Sequence, residues 1–235
     1  MATPMPQHDP RILNNNSREV DTLIFDFDYT LADSSTGIIE SANYALSKLN
    51  LPPASDDAIR RTIGLQLTET LKVLVGDEYA HLGKAFQDHF VERADEVMAE
   101  STFLFDFVPE TIRKLADRGL NLGIVSSKYR RRIESVLDRE GLLSNFSVIV
   151  GGDDVTSFKP DPSGLLSATG KLSRSKANVL YVGDSLTDAE TAKRASVPFI
   201  AVLSGVTERH EFSSHPVQHV LGNISELPVI LPGVV

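Results

Sequence analysis

Cysteine is absent from the 235 residues, which excludes structural disulfides, thiolate-ligated zinc, iron–sulfur clusters and a cysteine nucleophile. Any metal is left to oxygen or imidazole ligands. Positive charge is the scarcer sign: 23 Lys and Arg stand against 32 Asp and Glu, and the net −9 is unsuited to a nucleic-acid partner. Long apolar runs are missing too. No segment approaches the roughly 18 to 20 consecutive apolar residues of a bilayer-spanning helix, so no membrane partner is expected. The opening MATPMPQHDPRILNNNSREV lacks the apolar stretch of a signal peptide, which leaves the cytoplasm as the expected compartment and residues 1–18 as a loose, flexible tail. The six histidines form no metal constellation: His215 and His219 are four apart but flank Pro216, and no HExxH is present.

At 41% apolar and 23% charged, the chain can fill a core plus a small satellite and is not a disordered polyelectrolyte. Short apolar runs at 23–28, 122–127, 148–150, 179–183 and 199–203 alternate with stretches whose apolar residues recur every three or four positions, such as Ile112/Leu115/Ala116 and Ile133/Val136/Leu137. Strands buried on both faces read as continuous apolar runs, and each crossover between parallel strands is a helix. The fold class is therefore α/β, a Rossmann-like doubly wound parallel sheet. Residues 34–102 interrupt it with helical patterns only, including Ile38/Ala42/Ala45/Leu46/Leu49 and Ile59/Ile63/Leu67/Leu71, with Ser55 or Asp56 as an N-cap after LNLPP. The expected organisation is a core of residues 19–33 and 103–235 with an inserted α-helical unit at 34–102.

Ligands of open parallel sheets bind beyond the carboxyl ends of the strands. The first run, LIFDFDYTLADS, places Asp26 and Asp28 two positions apart at such an end, where period-2 geometry aims both carboxylates the same way and only a cation or proton relieves their repulsion. A pair of solvated acids is the plainer alternative. GIVSSK brings Ser126, Ser127 and Lys128 to the start of a helix, a setting that suits an anion, although for this motif alone a serine N-cap with a surface lysine is the plainer reading. GGDDVTSFKPDP presents Lys159 immediately before Pro160, which restricts its backbone and suits a lysine held at a fixed site, although in isolation an exposed loop lysine is the plainer reading. VLYVGDSLTD ends a buried strand on Asp184, with Asp188 in the first turn of the next helix; grouped hard oxygens of this kind suit Mg²⁺, and acids also favour a helix N-terminus.

Taken together, four strand ends supply a carboxylate pair, a hydroxyl, a lysine and a second carboxylate pair, in that order. DFDYT, VSSK, FKPDP and GDSLTD over residues 20–225 resemble the haloacid dehalogenase superfamily, in particular its phosphatases with an inserted helical cap, such as phosphoglycolate phosphatases. The resemblance implies a Mg²⁺-dependent phosphatase of small phosphorylated metabolites, phosphoglycolate first among them, acting through an aspartyl-phosphate. It implies Asp26 as nucleophile and Asp28 as general acid and base; Ser126, Ser127, Lys159 and Thr30 as phosphate-binding groups; and Mg²⁺ held by Asp26, the main-chain carbonyl of Asp28, Asp184 and Asp188. Residues 34–102 become the cap, with hinges near 33–34 and 102–103. The family usually has glycine where this chain has Tyr29, so Tyr29 is a candidate substrate contact, together with Arg61 and Gly64 in RRTIGLQL and with Lys128. Arg60 and Arg61, and the basic run 128–132, also read as solvated charge. The alternatives are a phosphomutase of the β-phosphoglucomutase type, a pyrophosphatase and, outside enzymes, a catalytically silent phospho-ligand-binding protein. A monomer or homodimer is expected.

Overall fold

A computed structural model describes residues 20–172 and 176–231; the expected tail at 1–18 lies outside the described residues. The apolar runs become strands β1 (Thr22–Phe25), β4 (Asn121–Val125), β5 (Val148–Val150), β6 (Val179–Gly183) and β7 (Phe199–Val202), joined at one edge by β8 (Val217–Leu221). All pair in parallel in the order β5-β4-β1-β6-β7-β8. The order reverses about β1, the switch point at which such sheets place their ligands.

Alternation along each strand sends side chains to opposite faces. Leu23, Phe25, Leu122, Ile124, Leu180, Val182, Ile200 and Val202 pack on one side, against α5 (Val108–Asp117), α6 (Arg130–Arg139) and α9 (Leu227–Ile230). Ile24, Val125, Val179, Tyr181, Phe199 and Ala201 pack on the other, against α7 (Ser163–Leu172) and α8 (Leu186–Ala195). The doubly wound α/β fold read from the sequence is the fold of the chain.

Between β1 and β4 the chain leaves the sheet through β2 (Ala32–Asp33), forms α1 (Ser35–Lys48), α2 (Asp56–Arg60), α3 (Leu67–Val75) and α4 (Gly83–Val97), and returns through β3 (Phe103–Leu104). β2 and β3 pair antiparallel, a two-stranded ribbon at the two positions where hinges are expected. The four helices bury a core of their own, with Leu46, Ile59, Leu71, Phe86 and Met98. Ser55 is the N-cap of α2, its hydroxyl accepting from the Ala58 amide at 3.3 Å. The helical period Ile59/Ile63/Leu67/Leu71 runs across two helices, α2 and α3. Gly64 breaks it at φ 96°, a backbone conformation glycine adopts without steric cost.

Candidate active site

The strand ends of β1, β4 and β6 converge. Carboxylate oxygens of Asp26, Asp184 and Asp188 all lie within 4.8 Å of one another, and all three residues are buried. Lys159, joined to Pro160 by a cis peptide bond, reaches this cluster from the loop after β5: its Nζ is 2.9 Å from Asp26 Oδ1 and 2.7 Å from Asp188 Oδ1. The contact with Asp26 is an ion pair without hydrogen-bond alignment, so Asp26 Oδ1 is a buried acceptor with no hydrogen-bond donor.

Three carboxylates and one ammonium leave a negative excess out of water, and the titration of the acids reflects it. Burial pushes the Asp26 carboxyl up to about 7, with Asp188 and Asp28 adding to the rise and Lys159 opposing it. Asp184 is raised well above the ordinary carboxylate value by burial and then by Asp188 and Asp26. Burial pulls the Lys159 ammonium down, but Asp188 and Asp26 outweigh it and the lysine stays charged. A buried, oxygen-only cluster with negative excess and an acceptor lacking a donor fits a hard divalent cation such as Mg²⁺.

Asp188 differs from its two neighbours because both its oxygens are engaged. Oδ1 accepts from Lys159 Nζ and from the Tyr181 hydroxyl at 2.8 Å; Oδ2 accepts from the Ser185 amide at 3.2 Å and the Ser185 hydroxyl at 2.5 Å, closing a capping box on α8. Thr30 donates to Asp184 Oδ1 at 3.1 Å. Its hydroxyl thus orients a carboxylate, where the sequence reading had it facing phosphate.

Asp28 sits apart from the cluster. Its Oδ1 accepts from the Ser34 hydroxyl at 2.5 Å and from Lys128 Nζ at 3.1 Å, and Lys128 also donates to Ser34 at 3.0 Å. Ser34 is the N-cap residue of α1 yet makes no side-chain cap; its hydroxyl is committed to Asp28. Lys128 is not the surface lysine of the alternative reading. It is buried, and desolvation lowers its pKa against the pull of Asp28. Nor is the rest of the basic run simply solvated, since Arg131 and Arg132 both bind Asp95 on α4, at 2.5 Å each.

Ser126 is buried, and its Oγ accepts from the Lys128 amide at 3.3 Å; the Ser127 hydroxyl reaches across to the Gly64 carbonyl at 3.1 Å. In the turn after Asp28, the amides of Thr30, Leu31 and Ala32 all donate to the Phe27 carbonyl, and Tyr29 is forced to φ 60°. This left-handed conformation is uncommon for an aromatic residue and costs on the order of 1–3 kcal/mol. The Tyr29 ring is buried and its hydroxyl accepts from Arg60 Nη1 at 3.3 Å, while Arg60 also donates to Ser35 at 2.5 Å. Of the two adjacent arginines, Arg60 therefore meets the core, and Arg61 lines a separate cleft beside Asp184.

The family model of haloacid dehalogenase-like hydrolases matches residues 23–202. The chain belongs to this family. Within it, the hydrolase is phosphoglycolate phosphatase-like: it is 31% identical over 216 residues to a phosphoglycolate phosphatase of Salmonella typhi, covering 81% of this chain and 84% of that protein. A phosphoglycolate phosphatase of Escherichia coli strain K12 is 30% identical with the same coverage. Among solved structures, a haloacid dehalogenase-like hydrolase from Bacteroides fragilis superposes with a TM-score of 0.84 at 40% identity, over 88% of this chain and 99% of that one. Kinship and fold together make the hydrolase a phosphatase by type.

One residue of the site carries no sequence signal. A Cβ at Gly205 would lie 2.0 Å from Asp184 Oδ2, so only glycine lets the loop after β7 close on that carboxylate. Gly205→Ala is expected to displace Asp184 and lower kcat by about 10²-fold, with a stability loss of about 1–3 kcal/mol. Unchanged kcat in the folded variant would show that the position of Asp184 is not critical.

Proposed function

We propose that the hydrolase is a Mg²⁺-dependent phosphatase of small phosphate monoesters that works through an aspartyl-phosphate on Asp26. The observation that carries this reading is the division of labour between two neighbouring acids. Asp26 lies in the buried cluster with Asp184, Asp188 and Lys159, whereas Asp28 is held outside it by Ser34 and Lys128.

Asp26 and Asp184, with the Asp28 main-chain carbonyl, would hold the cation; Asp188, whose two oxygens already accept from Lys159, Tyr181 and Ser185, would position Lys159 and support the cation from behind. The cation supplies charge neutralisation for the phosphoryl group and Asp26 together. An Asp26 carboxylate oxygen bonds to phosphorus as the bond to the leaving oxygen breaks, and Asp28 gives that oxygen its proton. Asp28, now ionised, takes a proton from the water that attacks the acyl phosphate and releases inorganic phosphate. Lys159 and Ser126, with Ser127 beside it, balance the charge of the equatorial oxygens. Residues 34–102 serve as the cap, hinged at the β2–β3 ribbon, and closure keeps water from the reacting centre until the alcohol has left. The names of the relatives make phosphoglycolate the reference substrate.

Phosphate release from a panel of monoesters, measured with Mg²⁺ and with chelator, tests this reading. Turnover that requires Mg²⁺ is the expected result, with a borohydride-reducible adduct on Asp26 during the steady state. A panel in which nothing is hydrolysed with Mg²⁺ present would overturn it.

A further inference from the structure

A cavity of about 80 Å³ opens beside Asp28, between the sheet and the helical unit, and its size restricts an occupant to a short chain. Ile38, Ala42, Phe90 and Met98 supply apolar lining from the helical unit; Lys128, Tyr129 and Arg132 supply polar lining from the core. The charges around it do not cancel. Arg131 and Arg132 share the single carboxylate of Asp95, at 2.5 Å each. Lys128 pairs with Asp28 at 3.1 Å, and Asp28 is neutral in the state that protonates a leaving oxygen. Neither lining cation has used all its donors. Lys128 Nζ donates to Asp28 and Ser34, which leaves an ammonium N–H over. In Arg132, Nε and Nη2 donate to Asp95 and Nη2 also to the Val91 carbonyl, while Nη1 makes no hydrogen bond among the described residues. The Tyr129 ring, its centroid 5.1 Å from the guanidinium carbon, holds Arg132 in this pose. Arg61, the arginine expected to meet substrate, lines the cleft beside Asp184 instead.

The leaving oxygen of the substrate must lie against the residue that protonates it, so the leaving group occupies the cavity that Asp28 borders. We propose that Arg132, on α6 of the core and not on the helical unit, is the specificity-determining residue: its Nη1 donates to a carboxylate carried by a short leaving group, with Lys128 donating to the same carboxylate. This rests on the phosphatase reading and on Asp28 as its acid. A carboxylate brings negative charge to a place with a positive excess, and two charge-assisted hydrogen bonds offset the loss of its water. A neutral leaving group of the same size leaves that excess unpaired. The apolar lining takes the carbon chain between the ester oxygen and the carboxylate.

The decisive comparison is kcat/KM of the full chain with Mg²⁺ for phosphoglycolate and for its uncharged isostere, the primary amide, alongside p-nitrophenyl phosphate. The wild type is expected to favour the acid over the amide by about tenfold or more, the worth of one hydrogen bond to a charged group. Arg132→Gln should lower that ratio at least about fivefold, chiefly through the KM of the acid, and Arg132→Lys, which keeps the charge, should restore part of it. Should Arg132→Gln not fold, Arg132→Lys still decides, since loss of Nη1 alone should lower the ratio at least about twofold. A wild type that turns over the amide as well as the acid would overturn this proposal and leave the phosphatase reading intact. So would Arg132 variants that slow acid and amide equally, because the arginine would then serve only to hold α4 through Asp95. Failure of every ester, p-nitrophenyl phosphate included, would overturn the phosphatase reading and this proposal with it.

Discussion

Asp26→Asn is expected to abolish turnover and, in the metal-free protein, to make the fold more stable. Loss of the nucleophile should cost roughly 10⁴-fold or more in kcat, because an amide oxygen cannot form the acyl phosphate. The gain in stability follows from linkage. Burial raises the Asp26 carboxyl from 3.8 to about 7, so between these values the folded protein binds a proton that the unfolded chain has released. Stability of the wild type therefore falls as pH rises from about 4 to about 7, by an amount on the order of 4 kcal/mol. The buried Asp184, raised in the same direction, adds to the slope. Asparagine carries no ionisable group at this position, so the variant should exceed the wild type by little at pH 5 and by most at pH 8. Urea denaturation in chelator at the two pH values measures the gap. Mg²⁺ should then stabilise the wild type more than the variant, since binding to the folded state alone stabilises by about 2.7 kcal/mol at a hundred times Kd. A variant less stable than the wild type at pH 8 would mean that the ionised Asp26 carboxylate is compensated within the metal-free fold and that the linkage argument fails.

The strand ends were legible because parallel strands buried on both faces leave continuous apolar runs, and each run stops where a carboxylate, hydroxyl or glycine begins. β8 left no such mark: its Val217–Leu221 is an edge strand mostly of intermediate exposure, offset from β7 by a register shift, and it is not among the apolar runs. Gly64 hid the break between α2 and α3 because the 3.6-residue period continues across it. Within the site, the acids and Lys159 were visible in the sequence through their spacing from strand ends. What was not visible depends on contacts distant in sequence. Lys128 became a buried partner of Asp28 across 100 residues, and Arg60 met Tyr29 and Ser35 across the inserted helices. Gly205 matters because of where Asp184 points, which no local pattern encodes. Tyr29, where the family favours glycine, was a visible departure; its left-handed backbone is the physical reason for the family's choice.

Lys159→Met should produce the largest loss of stability of any single change in the site. The side chain is enclosed, with Nζ against Asp26, Asp188 and the Tyr181 hydroxyl, and methionine nearly matches its volume without its charge. Removing one partner of a buried ionic cluster leaves the others uncompensated, at a cost of about 3–5 kcal/mol. The lysine's own pKa is raised in the fold, so its contribution is present at and below ordinary lysine values and is lost only at more alkaline pH. It remains charged across pH 5 to 8, and any pH dependence of the loss belongs to the acids it faces. At pH 5 those acids can take protons and the loss should shrink; at pH 8 it should be full. Pairing the change with Asp26→Asn separates the contributions, because the double variant removes a positive and a negative charge together. Its destabilisation should fall short of additivity by about 1–3 kcal/mol. A loss below about 1 kcal/mol for Lys159→Met, equal at both pH values and additive with Asp26→Asn, would show that the lysine does not hold the cluster together. Mg²⁺ should restore part of the stability of Lys159→Met, since a second cation can neutralise Asp26 and Asp184. It should not restore turnover, because the lysine's place against the phosphoryl oxygens stays empty of charge.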